Sequence, residues 1–375
     1  MSQSIRILDT GYIYRNPKPH LVSRHAYFPS LCALPDGSIV AGFDLGSAFE
    51  AIDVRSFTAR STDGGATWRA PVQVFEPDTS QHAVSTSCRI AHVGGGRVVG
   101  LAALMDRSRR DEGLANPETE GFVRTEFALV SSTDGGRSFS APAPVAPPVD
   151  WAAYEICSPV LATRQPNRWL IPTAPWPDWS GHNPFGPKAV AFLSDDGGQS
   201  WSRCVDVMNR RAERIAFYEQ KLATLSDRRI LALCWTIDLK SKRNLPNHFA
   251  LSTDDGESFG PPTPTPLAGE TCTPLALPDN HVLCVYRRVD DRKGLWAHLA
   301  RIEGNAWRPL LDEPLWGANV SARQTHQQSL LAQMSTLRFG CPTLVCPSAG
   351  EVLLAFWGVE DGVSSIRWLR LSVSL

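Results

Sequence analysis

Two Tyr-Glu pairs, Tyr154-Glu155 and Tyr218-Glu219, stand beside apolar stretches and are the first residues here whose types suggest chemistry. Two carboxyls held close together can divide the roles of general acid and general base, because each makes ionisation of the other less favourable. Neighbours on a strand face opposite sides, so Glu155 with Glu219 is the more economical pair than either tyrosine with its own glutamate. Arg24, Arg89, Arg338 and the consecutive Arg287-Arg288 border apolar segments, and a guanidinium fork suits a carboxylate. His25 and Tyr27 belong to the same kind of segment. The Pro-rich stretch 172–184 presents Trp176, Trp179 and His182, whose rings suit sugar stacking or packing between sheets.

The overall balance of charge narrows the partners. Lys plus Arg number 37 against 38 for Asp plus Glu, which gives no basic field for a nucleic-acid backbone. Arg107, Arg109 and Arg110 alternate with Asp106, Asp111 and Glu112 and read as a solvated loop. No apolar run approaches a membrane span. The first residues lack a basic region followed by an apolar one, so a cytoplasmic location without a secretory signal is expected. The 9 cysteines include no CxxC pair and read as small buried hydrophobes. The 9 histidines show no metal-ligand spacing, so neither a metal nor another cofactor is expected.

The elements that must position these residues announce themselves as repeats. A motif Ser-x-Asp-x-Gly-x-x-aromatic occurs at 61–68, 132–139, 194–201 and 252–259, with a degenerate copy at 302–307. Its aspartate can accept hydrogen bonds from its own turn, and its glycine supplies a positive φ. A second repeat, apolar run, tight turn, apolar run, precedes each box, as in Leu31–Val40 and Ile90–Val99. Its turns centre on Asp36, Gly95, Pro166, Asp227, Asp279 and Ala349, which defines six units of two hairpins. Such units cannot bury their faces alone, and stacking them radially gives an all-β, six-bladed β-propeller of four-stranded antiparallel blades. Residues 1–375 are then one domain, with Ile5–Leu8 or Tyr12–Tyr14 completing the last blade and closing the ring.

The box resembles the Asp box of the sialidase superfamily, and the resemblance extends over all six units. It implies that the boxes lie on the blade periphery and that chemistry lies at the axis, where the inner strands begin. It also implies three arginines for a carboxylate, a tyrosine nucleophile activated by a glutamate, and an aspartate acid/base. Glu219 matches the activating glutamate, and Asp53, with Asp44 as fallback, is placed like the aspartate. The sequence departs elsewhere. Phe28-Pro29 stands where the first arginine belongs, Trp235 matches another arginine, and Cys341 occupies the tyrosine position. Tyr154 or Tyr218 with a glutamate, or the Glu155–Glu219 pair, could replace what is missing.

These features point to a sialidase-like glycan-processing enzyme, an exo-acting glycoside hydrolase on an acidic or polar sugar. A non-catalytic glycan-binding or interaction propeller and a uronate-directed lyase are the alternatives. The expected partner is a carbohydrate, with no nucleic acid or membrane. The segment Ser321–Gln333, with His326, reads as a short surface helix, with a cap on the axis as the alternative.

Overall fold

The computed structural model describes residues 3–288, 292–317 and 337–375; the expected 321–333 helix and His326 lie outside them. The chain opens with β1 (Ser4–Tyr14), which is set aside for the end of the ring. Blade I is β2 (His25–Ala33), β3 (Ile39–Gly46), β4 (Arg55–Ser61) and β5 (Val72–Gln73). Blade II is β6 (Val84–His92), β7 (Val98–Asp106), β8 (Thr125–Ser132) and β9 (Ala143–Pro144). Blade III is β10 (Leu161–Ala162), β11 (Trp169–Thr173), β12 (Ala189–Ser194) and β13 (Arg203–Met208). Blade IV is β14 (Ile215–Thr224), β15 (Ile230–Asp238), β16 (Arg243–Ser252) and β17 (Thr263–Pro264). Blade V is β18 (Gly269–Ala276), β19 (His281–Arg288), β20 (Gly294–Glu303) and β21 (Ala306–Trp316).

Blade VI joins β22 (Phe339–Ser348), β23 (Glu351–Glu360) and β24 (Val363–Ser374) to β1 as its fourth strand. Pairing runs from Ser4 opposite Ser374 to Tyr14 opposite Ile366, so both proposed closing segments belong to one strand. The fold is a six-bladed, antiparallel β-propeller. Its hydrophobic clusters form between adjacent sheets, as where Phe43 and Trp357 meet across blades I and VI.

The inner strands carry a repeated irregularity. Register slips at Tyr27/Ser30, Tyr218/Lys221, Glu270/Thr273 and Gly340/Thr343, which are corresponding positions of blades I, IV, V and VI. Phe28, Glu219 and Cys341 sit in these bulges with φ of 52°, 52° and 49°. Left-handed backbone is unfavourable for such residues and is held only where the surroundings enforce it. A bulge also breaks the two-residue alternation and re-aims side chains. That is why Tyr218 and Glu219, neighbours on β14, both face the axis.

The four boxes join the third and fourth strands of blades I to IV and share one geometry. In the first, the Ser61 hydroxyl donates to Asp63 at 2.7 Å and accepts the Gly65 N–H at 2.8 Å, while Asp63 accepts the Thr67 N–H at 3.0 Å. Hydrogen bonds from Thr67 hold the Asp63 carboxyl down at about 2. The glycine two residues after each box aspartate lies against the preceding blade. Gly65 meets Leu353, Gly136 meets Val40, Gly198 meets Leu129 and Gly256 meets Leu170, all with positive φ. A methyl at Gly136 would lie 2.8 Å from Val40 Cγ1, at a φ of +77°.

Gly136→Ala is therefore expected to destabilise the ring by about 1–3 kcal/mol, through overpacking as well as backbone strain. Gly37→Ala has a similar φ of +79° but nothing within 4 Å, and isolates the backbone part. Thermal denaturation should show the larger loss in Gly136→Ala; equal losses would remove the blade-contact account.

Candidate functional site at the propeller axis

A cavity of about 710 Å³ opens at the axis and draws its walls from all six blades. Blade I contributes Phe28 and Asp44, blade II Arg89, and the segment before β10 supplies Glu155. Blade IV brings Tyr218, Glu219, Lys221 and Trp235; blades V and VI add Glu270, Arg287 and Cys341.

The seam between blades III and IV is tied by a cluster of hydrogen bonds. Glu155 is buried, anchored by its N–H to the Ala174 carbonyl at 3.0 Å and through its own carbonyl to the Thr173 hydroxyl at 2.8 Å. Its two carboxyl oxygens accept the Glu219 N–H at 3.0 and 2.9 Å. The Ser158 hydroxyl and Cys157 thiol donate to the Gln220 carbonyl at 2.6 and 3.3 Å, and Lys221 Nζ donates to the Cys157 carbonyl. The β14 bulge is thus clasped by residues 155–158. Burial, reinforced by the Glu219 charge, pushes the Glu155 carboxyl up to about 8, against the Glu219 N–H and the Lys221 charge. Glu155 is therefore protonated near neutral pH.

Blade V completes this wall. Arg287 is ion-paired with Glu270, which also accepts a hydrogen bond from Asn244 Nδ2 at 3.3 Å; Asn244 Oδ1 accepts Trp235 Nε1–H at 3.1 Å. Burial lowers the Arg287 guanidinium to about 10, while the Glu219 charge favours its protonated form. Cys341 closes the ring with a thiol that burial pushes up to about 11, so it is a neutral thiol at the expected tyrosine position.

On the other side, Asp44 is fully buried and accepts from the Ser56 hydroxyl at 2.7 Å, the Ser87 hydroxyl at 2.5 Å and Arg89 Nη1 at 3.3 Å. Arg89 also lies over the Phe28 ring at 5.2 Å. Above them, loops from blades II and III join through Phe122 and Trp176, stacked at 3.9 Å, and through Asn116 Nδ2 to the Trp179 carbonyl at 3.0 Å.

Several sequence candidates lie elsewhere or are engaged by other partners. Asp53 accepts from the Ser47 N–H at 3.0 Å and hydroxyl at 2.9 Å on an exposed loop and does not line the cavity. Tyr154 lines it, but its hydroxyl donates to the Val149 carbonyl at 2.6 Å, and its ring packs on Phe127 and Phe192. Arg24 is exposed and bonds Tyr14; Arg338 is also exposed. His25 Nδ1 accepts the Ser364 N–H at 3.1 Å, and Tyr27 is core between Phe49 and Trp357. Arg288 faces away from Arg287, as alternation requires, and pairs with Asp312 at 2.9 Å. Trp179 lies under Arg109 and His182 is exposed; neither lines the cavity. Of that loop, Trp176 does.

Among the lining residues that the sequence did not single out, Glu50 and Arg107 are charged and come from loops. Glu50, three positions before Asp53, faces the cavity, and burial raises its carboxyl. Arg107, expected in a solvated loop, is only 2% exposed and lines the cavity. Its alternating charged neighbours gave no signal of this. Among the described residues no group of three or more His, Cys, Asp or Glu is arranged to hold a metal ion, and no helix is long and apolar enough to cross a membrane. All nine cysteines are free thiols, five of them buried.

The BNR repeat-like domain model matches residues 113–315, more than half of the chain. The protein belongs to the BNR repeat-like family. No curated protein sequence matches it significantly. A protein of unknown function from Dyadobacter fermentans DSM 18053 has a similar structure, with TM-score 0.72 and 21% identity over 99% of both chains. The NanB sialidase of Streptococcus pneumoniae has TM-score 0.67 and 11% identity, over 96% of this chain and 70% of that one. The α-L-arabinanase of Penicillium chrysogenum, complexed with arabinobiose, has TM-score 0.64 and 14% identity over 98% of both chains. At these identities the likeness is one of fold. This BNR repeat-like protein shares the six-bladed propeller with them.

The protonation of Glu155 has a consequence for stability. Its folded value of about 8 exceeds the ordinary 4.5, so between these pH values the folded state holds a proton that the unfolded chain has lost. Stability from this group falls as pH rises from about 4.5 to about 8 and then levels off. Glu155→Gln removes the titration; its melting temperature should fall less steeply over that window than wild type, and parallel curves would contradict a raised Glu155.

Proposed function

We propose that this protein is a glycoside hydrolase in which Glu155 is the general acid and Glu219 its partner carboxylate. The observation that carries this reading is the buried Glu155 carboxyl held across the blade III–IV seam by the Glu219 N–H, with both residues lining the axial cavity. A protonated Glu155 can give its proton to the departing glycosidic oxygen. Glu219 then attacks the anomeric carbon or activates a water, the two routes open to paired carboxyls. Arg287, within the field of Glu219, offsets negative charge there. Trp176, Phe122, Tyr218 and Trp235 supply apolar walls for a sugar ring. The sialidase and arabinanase neighbours support a carbohydrate ligand.

A non-catalytic glycan-binding propeller is the second reading, favoured by one fact: both Glu155 oxygens already hold the Glu219 N–H, a structural duty. A lyase using Tyr154 is less well supported, since that phenol is engaged by Val149.

Turnover of a panel of 4-nitrophenyl glycosides, neutral and acidic, decides between them. Glu155→Gln and Glu219→Gln are each expected to lower kcat by about 10²–10⁴ with folding intact. The wild-type rate should fall as pH rises through about 8, and that limb should vanish in Glu155→Gln. Binding of a saccharide without turnover of any member would support the non-catalytic reading.

A further inference from the structure

Two buried guanidinium groups line the axial cavity, and the chain itself supplies each with a carboxylate. Arg287 on β19 stands directly opposite Glu270 on β18 and is ion-paired with it. Arg89 on β6 of blade II is paired with Asp44 on β3 of blade I at 3.3 Å. All four residues line the cavity, and none is more than 7% exposed.

Both carboxylates are held in place from a second direction. The Ser56 and Ser87 hydroxyls donate to Asp44 at 2.7 and 2.5 Å. The Asn244 amide of blade IV donates to Glu270 at 3.3 Å, and Asn244 is fixed in turn by Trp235 Nε1–H at 3.1 Å. Glu219 also lies within the field of Arg287, so one guanidinium answers to two carboxylates. The other lining cations offer no substitute fork. Lys221 Nζ is taken by the Cys157 carbonyl, and Arg107 Nη2 by the Glu112 carbonyl at 2.9 Å, with the Arg107 Nε and Nη1 closed off from solvent. Arg214 is exposed, where water screens its charge.

We infer that Glu270 determines specificity: it occupies the place on Arg287 that the carboxylate of an acidic sugar would need, so the cavity refuses such sugars and takes uncharged ones. An incoming carboxylate has two ways to reach Arg287. It either joins Glu270 and Glu219 as a third like charge around one guanidinium, or it displaces Glu270 and leaves a buried carboxylate unpaired. A sugar hydroxyl brings no charge and meets neither penalty. The Asp44–Arg89 pair closes the second guanidinium in the same way. The expected acidic or polar sugar is thereby narrowed to an uncharged one. This inference rests on the axial cavity being the glycan site of the proposed hydrolase, and is independent of whether the sugar is cleaved.

Calorimetry with methyl glycosides tests it, setting arabinoside, glucoside and galactoside against glucuronide and galacturonide. Wild type should bind at least one neutral member, and should bind each uronide about tenfold or more weaker than that member. Glu270→Gln keeps the size of the side chain and its contact with Asn244 while releasing Arg287. It should raise the affinity for a uronide about tenfold or more, and the gain should vanish in Glu270→Gln/Arg287→Met. Such a gain cannot come from a misfolded chain. A second measurement uses no sugar. In Glu270→Ala, sodium acetate should raise the melting temperature above that in sodium chloride of equal ionic strength, by filling the vacated place on Arg287, while wild type should respond alike to both salts. A wild-type preference for a uronide, no uronide gain in folded Glu270→Gln, or a Glu270→Ala protein indifferent to acetate would each overturn the proposal. Binding of no member of the panel would remove the glycan reading and the proposal with it. Neutral-sugar binding without turnover would remove the hydrolase reading alone and support the specificity.

Discussion

The N–H of Glu219 points at both carboxyl oxygens of Glu155, and the site depends on that contact. It joins two blades that share no strand. It holds Glu219 in a left-handed conformation that the residue would not choose alone. It also keeps the Glu155 carboxyl dry. The bulge in turn places Tyr218 and Glu219 on the same wall, which an unbroken strand forbids. Geometry and protonation therefore follow from one arrangement, and loss of the clasp would disturb both.

The same economy extends around the axis. Charged groups that would be costly to bury are set in opposed pairs across neighbouring strands or blades, Asp44 with Arg89 and Glu270 with Arg287. These pairs leave the floor of the cavity polar but nearly balanced. The periphery is fixed by different means: box aspartates tie their own turns, box glycines seat each blade on the one before, and β1 closes the last sheet. A rigid rim of this kind lets the inner strands carry strained bulges without the ring opening.

What could be read from the sequence was whatever repeats or is local. The box and the paired apolar runs define six blades because each unit solves the same burial problem. The closing role of the first strand follows because the last unit lacks a fourth. Glu155 and Glu219 were accessible for the same reason, as corresponding positions of successive repeats. The loops were not. Asp53 and Glu50 are three residues apart in one connection, and nothing local says which turns inward; a cap on Ser47 takes Asp53 out. Arg107 sits among alternating charges that resemble a solvated surface, yet it is covered by chain remote in sequence. Tyr154 looked reactive beside Glu155 until the Val149 carbonyl, five residues earlier, claimed its hydroxyl. In each case a contact that the repeat pattern does not encode decided the outcome.

Glu155 keeps its proton at neutral pH because burial and the Glu219 charge oppose its ionisation. Difference infrared spectroscopy of wild type against Glu155→Gln measures this directly. At neutral pH the difference spectrum should show a protonated carboxyl C=O band belonging to Glu155. The band should titrate away with a midpoint of about 8 and shift to lower pH in Glu219→Gln. A Glu155 carboxylate already ionised with a midpoint near the ordinary 4.5 would contradict it.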